Sequence, residues 1–103
     1  MGTDEQTAFN LQDTEVIDSV SSSVGFTAEY ITAVKMETLI YVLIQPQGGP
    51  IMYETNGDAA TTETGIYIAD FGVVEIWGWQ AIQNFKCIDK GGSAKLSCKY
   101  YGT

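Results

Sequence analysis

Leu39-Ile40-Tyr41-Val42-Leu43-Ile44-Gln45-Pro46-Gln47-Gly48-Gly49-Pro50-Ile51-Met52-Tyr53-Glu54-Thr55-Asn56-Gly57-Asp58 is the stretch that decides the fold. Leu39 to Gln45 is apolar at odd and even positions alike and dense in β-branched and aromatic residues, which reads as a strand covered on both sides. Pro46-Gln47-Gly48-Gly49-Pro50 ends it, because two prolines and two glycines deny the chain both ladder donors and regular backbone angles. Ile51 to Thr55 resumes extended structure and meets Asn56-Gly57, a turn signal since both residues tolerate positive φ.

The same grammar continues on either side. Downstream, Ala59 to Thr64 is a polar loop, and Gly65-Ile66-Tyr67-Ile68-Ala69-Asp70 and Val73-Val74-Glu75-Ile76-Trp77 read as strands around Phe71-Gly72. Ala81 to Asp89 and Ser93 to Tyr101 read as a last hairpin joined by Lys90-Gly91-Gly92. Upstream, Phe26, Ala28, Tyr30, Thr32 and Val34 share one parity, which suits a half-buried strand over 26–34 better than a helix. Asp13 to Val20 is a further strand, and Ser21-Ser22-Ser23 interrupts the pattern. Residues 1–12 form a polar, irregular arm in which Phe9 and Leu11 are the sizeable side chains after Met1. Turn signals about every ten residues predict an all-β chain: a small antiparallel β-sandwich or jelly-roll-like barrel over 13–103, with an extended N-terminal arm. The expected core is Phe26, Tyr30, Leu39, Tyr41, Leu43, Ile66, Ile68, Val74, Ile76, Phe85, Ile88 and Leu96, with Trp77 at its margin.

At 103 residues the chain has room for one domain, which buries roughly 65% of the surface its unfolded form exposes. An apolar share of 45% and a charged share of 17% are those of a globular protein. The longest apolar run, Leu39 to Ile44, is six residues, against about 20 for a membrane-spanning helix. Met1 to Gln12 lacks the basic start and apolar segment of an export signal. Thirteen acidic and five basic residues give a net charge of −8, which argues against nucleic acid, since phosphate contacts need surplus Lys or Arg. The acidity either complements a basic partner surface or keeps the protein dispersed.

Histidine is absent, which removes Ser/His and Cys/His catalysis and the commonest metal ligand. A carboxylate pair such as Glu54 and Asp70 is the remaining enzymatic option, but acidic residues are ordinary beside turns, and no enzyme is expected. Glu54, Asn56, Asp58 and Glu63 offer oxygen ligands without the D-x-[DN]-x-[DN]-G spacing of a calcium loop, and a solvated Asn-Gly turn explains them equally. Cys87 and Cys98 cannot close a zinc shell without histidine or a CxxC spacing. Placed across a hairpin they could form a bridge if the geometry suits; two reduced, buried, small apolar residues on one core is the favoured reading. Neither a metal nor a cofactor is expected. Trp77 and Trp79 share a strand parity and, with Tyr100-Tyr101, could form a sugar-stacking platform, although core packing accounts for tryptophans in so small a domain.

Tyr53-x-x-Asn56-Gly57-Asp58-Ala59-Ala60-Thr61-Thr62-Glu63-Thr64-Gly65, then Val74-x-Ile76-x-Gly78-x-x-Ala81-Ile82-x-Asn84-Phe85-Lys86-Cys87-Ile88 and Ala94-Lys95-Leu96-x-Cys98-x-Tyr100, resemble small virion structural proteins of tailed bacteriophages. The motifs are individually short, and the resemblance covers about half to three quarters of the chain. Asn56 stands where Asp is more usual, and Ala59-Ala60 where Pro is common. The resemblance implies a non-enzymatic virion component, assembled in the host cytoplasm. The expected role is a capsid decoration or cement protein on the major capsid protein lattice, with a neck, tail or fibre subunit as the alternative and a carbohydrate-binding module using Trp77 and Trp79 as the reading from another class. It marks a fold and carries over no functional residue. The interaction residues expected from the sequence are Phe9, Leu11, Trp79 and Tyr101, with another virion protein or a second copy as partner and neither nucleic acid nor membrane.

Overall fold

The structure, a computed structural model, describes residues 9–103 apart from Ser19, Ser21 and Gly92. Residues 1–8 of the expected arm, and parts of the expected strand at 13–20 and of the last turn, therefore lie outside the described residues. Seven strands are described: β1 (Asn10–Ile17), β2 (Leu39–Gln47), β3 (Ile51–Glu54), β4 (Ile66–Ile68), β5 (Val74–Trp77), β6 (Lys86–Asp89) and β7 (Lys95–Gly102). With them come a 3-10 turn at Ala28–Tyr30 and two short helices, α1 (Ala33–Met36) and α2 (Trp79–Asn84). The strands form two antiparallel sheets, β1-β7-β2-β5 and β4-β3-β6, which share one apolar core as a small β-sandwich. Because β1 begins at Asn10, the last three residues of the segment read as arm already belong to it: Asn10 and Leu11 pair with β7, and Gln12 sits in a bulge.

An aromatic chain ties the two sheets together. Tyr53 of β3 meets Phe85, which stacks on Phe26 at 4.2 Å, and Phe26 sits edge-on to Tyr100 of β7, which stacks in turn on Tyr30. The phenol of Tyr100 donates to Glu15 Oε1, and that carboxylate also accepts from Thr27 N at 3.2 Å. Burial and this bond to Glu15 push the Tyr100 phenol well above its ordinary pKa.

Several sequence expectations need correction. Residues 26–34 are not a strand: the 3-10 turn and α1 run over this region, with Thr32 Oγ1 accepting from Lys35 N at 3.3 Å as the N-cap of α1. Phe26, Tyr30, Ile31 and Met36 nevertheless pack on the core, as a coil and a helix rather than as a ladder. The last hairpin is absent too. Gly78, at φ +88, stops β5; α2 follows with Ile82 as its one buried residue; and β6 and β7 join different sheets. Cys87 and Cys98 are thus not cross-strand neighbours but two free, buried thiols on the shared core.

Leu39 is buried as expected, but from Tyr41 onward the inward parity of β2 is the reverse of the one expected. The register slips between Leu39 and Tyr41, so a bulge at Ile40 turns Val42, Ile44 and Pro46 inward and leaves Tyr41 and Leu43 half-buried on the other side. Pro46 belongs to the strand rather than ending it. Its carbonyl accepts from Phe71 N at 2.8 Å, on the side of β2 beyond the last β5 pairing at Ile44, where no ladder needs its missing N–H. Ile66 and Trp77 are exposed, at 55% and 49%, while Tyr30, Val74 and Ile88 are only partly buried.

Candidate binding face on the four-stranded sheet

Alternation along three adjacent strands builds one outward surface. In β7, Leu96, Cys98 and Tyr100 are buried, so Ser97, Lys99 and Tyr101 point away from the core. In β2, Tyr41, Leu43 and Gln45 oppose buried Val42, Ile44 and Pro46; in β5, Glu75 and Trp77 oppose buried Ile76. The register then sets rows across the sheet. Tyr101, Tyr41 and Trp77 form one row with Leu11 of β1 beside Tyr101, and Lys99, Leu43 and Glu75 form the next with Thr14 beside Lys99.

The aromatic row is stacked. Tyr41 lies on Trp77 with centroids 4.5 Å apart and on Tyr101 at 5.0 Å, and Phe9 meets Tyr41 and Trp77 edge-on at 5.9 and 5.8 Å. Trp77 Nε1 donates to Glu75 Oε1 at 3.0 Å, which fixes the indole and ties the two rows together. Burial, then the neighbouring Glu75 and Tyr101, raises the Tyr41 phenol above its ordinary value.

Charge on this face differs from that of the whole chain. Lys35 pairs with Asp13 at 2.8 Å, Lys90 Nζ donates to the Thr62 carbonyl, and Lys86 lies opposite Glu54 in the β3–β6 register. Lys95 and Lys99 extend from the outer side of β7, with Glu75 the acidic member of their surface on β5.

Of the interaction residues expected from the sequence, Phe9, Leu11 and Tyr101 come to this face, and Trp79 does not join the row. Trp79 opens α2 after the Gly78 turn, is 57% exposed, and has no ring contact with Trp77 among the described residues. The shared parity of Trp77 and Trp79 is therefore lost. Of the Tyr100-Tyr101 pair only Tyr101 faces outward. Stacking covers both faces of Tyr41, which does not suit a platform needing free ring faces for a sugar. Sequence places Tyr41 and Leu43 in the expected core, Glu75 only as part of a strand and Lys99 only within the last hairpin; their alignment on one outer face depends on β7 and β5 flanking β2, a non-consecutive order no local motif encodes.

Elsewhere the candidate chemical groups are dispersed. Asp70 accepts from Gly48 N at 3.0 Å, and Asn56 Oδ1 accepts from Asp58 N at 3.0 Å in a side-chain turn. No three His, Cys, Asp or Glu side chains converge on a metal-sized site among the described residues. Burial pushes the Cys87 thiol up to about 12, and burial with Glu15 and Cys87 nearby pushes Cys98 up as well, so neither thiol is a ready nucleophile. A hollow of about 240 Å³ opens on the binding face between Leu43, Gln45, Val73, Ser97 and Lys99; drug-sized ligands occupy pockets of roughly 300–1,000 Å³. No described helix is long and apolar enough to cross a membrane. Comparison with protein-family models, with curated proteins and with solved structures finds no match.

Proposed function

We propose that this protein is a non-enzymatic structural subunit of a tailed-bacteriophage virion, acting as a capsid decoration or cement protein on the outer surface of the major capsid protein lattice. The observation that carries the assembly part of this reading is the outward-facing row of half-buried Tyr101 and Tyr41 and exposed Trp77, extended by exposed Phe9. Four aromatic rings held rigidly at the surface form a subunit contact, because desolvating such a patch favours association and its stacked side chains lose little further freedom on binding. The virion setting rests on the resemblance carried by Tyr53 to Gly65, Val74 to Ile88 and Ala94 to Tyr100. In this reading the aromatic face meets another subunit, while the N-terminal segment and the acidic surface, in a chain of net charge −8, meet the shell.

Removal of residues 1–8 tests the shell contact, since it leaves β1 whole from Asn10 and keeps Gln12 bonded to Thr38. The shortened protein is expected to fold normally and to occupy expanded capsids less fully. Unchanged occupancy removes the segment from the mechanism. Mass-spectrometric copy counting on purified particles is expected to give numbers on the scale of the lattice; a few copies per particle moves the assignment to the neck, tail or fibre, and none removes the virion reading.

A further inference from the structure

We infer that the aromatic face is closed by the same face of a second copy of this chain, the two related by a two-fold axis parallel to β2. This inference rests on reading that face as a subunit contact, and it names the subunit. The register supplies the reason. Lys99 and Glu75 flank Leu43 from opposite sides in one row, and Tyr101 and Trp77 flank Tyr41 in the next. A two-fold axis along β2, lying between two stacked faces, exchanges left and right within each row. It therefore sets Lys99 over Glu75 of the second copy, and Glu75 over that copy's Lys99. Leu43 meets its own mate, Tyr41 meets its own mate, and Tyr101 meets Trp77 of the second copy.

The alternative axis through Leu43, running across the strands, opposes Lys99 to Lys99 and Glu75 to Glu75, which the charges forbid. Self-complementarity thus selects one arrangement, and it is an aligned packing of twisted sheets, the common mode for two β-faces. Elsewhere the surface is acidic, in a chain carrying thirteen acidic and five basic residues. Two copies brought together in most other ways would repel, whereas this face sets Lys99 against Glu75 twice across the axis, with Lys95 left at its edge. Four strands span about 14 Å and the outward residues Lys95 to Tyr101 about 20 Å, a footprint of roughly 300 Å² per copy, below that of standard stable interfaces and in the range of weak, transient contacts. The dimer is accordingly a micromolar one, suited to repeated weak contacts on a lattice.

Sedimentation of the purified full chain across about 1–500 µM tests this without any virion component. The expected result is a monomer–dimer equilibrium in the micromolar range. Lys99→Glu and Glu75→Lys are each expected to weaken it about tenfold or more, because each sets like charges against each other twice. The double variant K99E/E75K restores the opposed pairs and is expected to return the affinity to within about threefold of the original. Both side chains are exposed, so the fold is retained, and Leu43→Glu, on the axis itself, provides a second route to the monomer. A chain that is monomeric throughout, a dimer indifferent to all three single changes, or reversals that fail to restore one another would overturn the inference. A monomer that still occupies capsids removes the second copy and leaves the virion reading intact; a dimer with no copies on particles does the reverse.

Discussion

Gly102 is the residue at which one added carbon matters most. A β-carbon there would collide with the Thr38 carbonyl oxygen and with Gln12 Nε2, which itself donates to Thr38 Oγ1 at 2.6 Å. The position lies beside the register slips of both β1 and β2, so neither neighbour can retreat without disturbing a bulge. Gly102→Ala is expected to cost about 1–3 kcal/mol, read as a lower urea midpoint with an unchanged slope; an unchanged midpoint refutes the close approach. The buried thiols impose a pH limit. Cys87 is raised from 9.0 to about 12 in the folded chain, so its stabilising effect is complete below pH 9 and is lost as pH climbs toward 12. Each such thiol contributes a slope of about 1.4 kcal/mol per pH unit within that window. Thermal melts between pH 8 and 11 should show a shallower decline for Cys87→Ala than for the original chain, and equal slopes contradict it.

At the scale of elements, α2 illustrates how a short apolar stretch chooses between ladder and helix. Gly78 adopts φ +88 and ψ 146, a conformation essentially reserved for glycine, and it separates the outward Trp77 from the helix that follows. Ile82 is the buried anchor of that helix. Ile82→Ala is expected to cost about 2–5 kcal/mol and to loosen α2 first, visible as faster hydrogen exchange at Ile82 and Phe85 than at the β2 and β7 ladders. Uniformly faster exchange would instead make α2 part of the global unfolding unit. The bulge at Ile40 works by the same economy: one extra residue flips the parity of the strand that follows, and places Tyr41 and Leu43 on the outer face.

Across the whole molecule, stability depends on the aromatic chain that joins the sheets. Phe85 is fully buried and contacts both Phe26 and Tyr53. Its replacement by Ala should remove about 3–5 kcal/mol from a domain whose total is roughly 5–15 kcal/mol. Denaturant unfolding measures this directly, and a loss under about 1 kcal/mol would mean that the two sheets hold without it. The outer face lies on the far side of the sheet from this chain, so the surface changes at Lys99 and Glu75 should leave the same midpoint untouched. Core and outer face are separable because alternate residues of the same strands serve each.

Sequence alone determined the fold class and the strands around Leu39–Gln45, Ile51–Thr55, Gly65–Asp70 and Val73–Trp77, and it favoured buried, reduced cysteines without deciding whether they are bridged. These follow from local pattern: β-branched density, turn residues and the solvent preference of each side chain act over a few positions. It also singled out Phe9, Leu11, Trp79 and Tyr101, of which Trp79 opens α2 and stays apart from the row. Tertiary structure alone decided that residues 28–36 coil and turn into a helix, that β6 and β7 part company, and that Tyr41, Trp77, Lys99 and Glu75 fall into two rows. Those outcomes depend on which strands become neighbours and on single-residue slips in register. Both are settled by the packing of one core between two sheets, and neither leaves a mark in any short stretch of the chain.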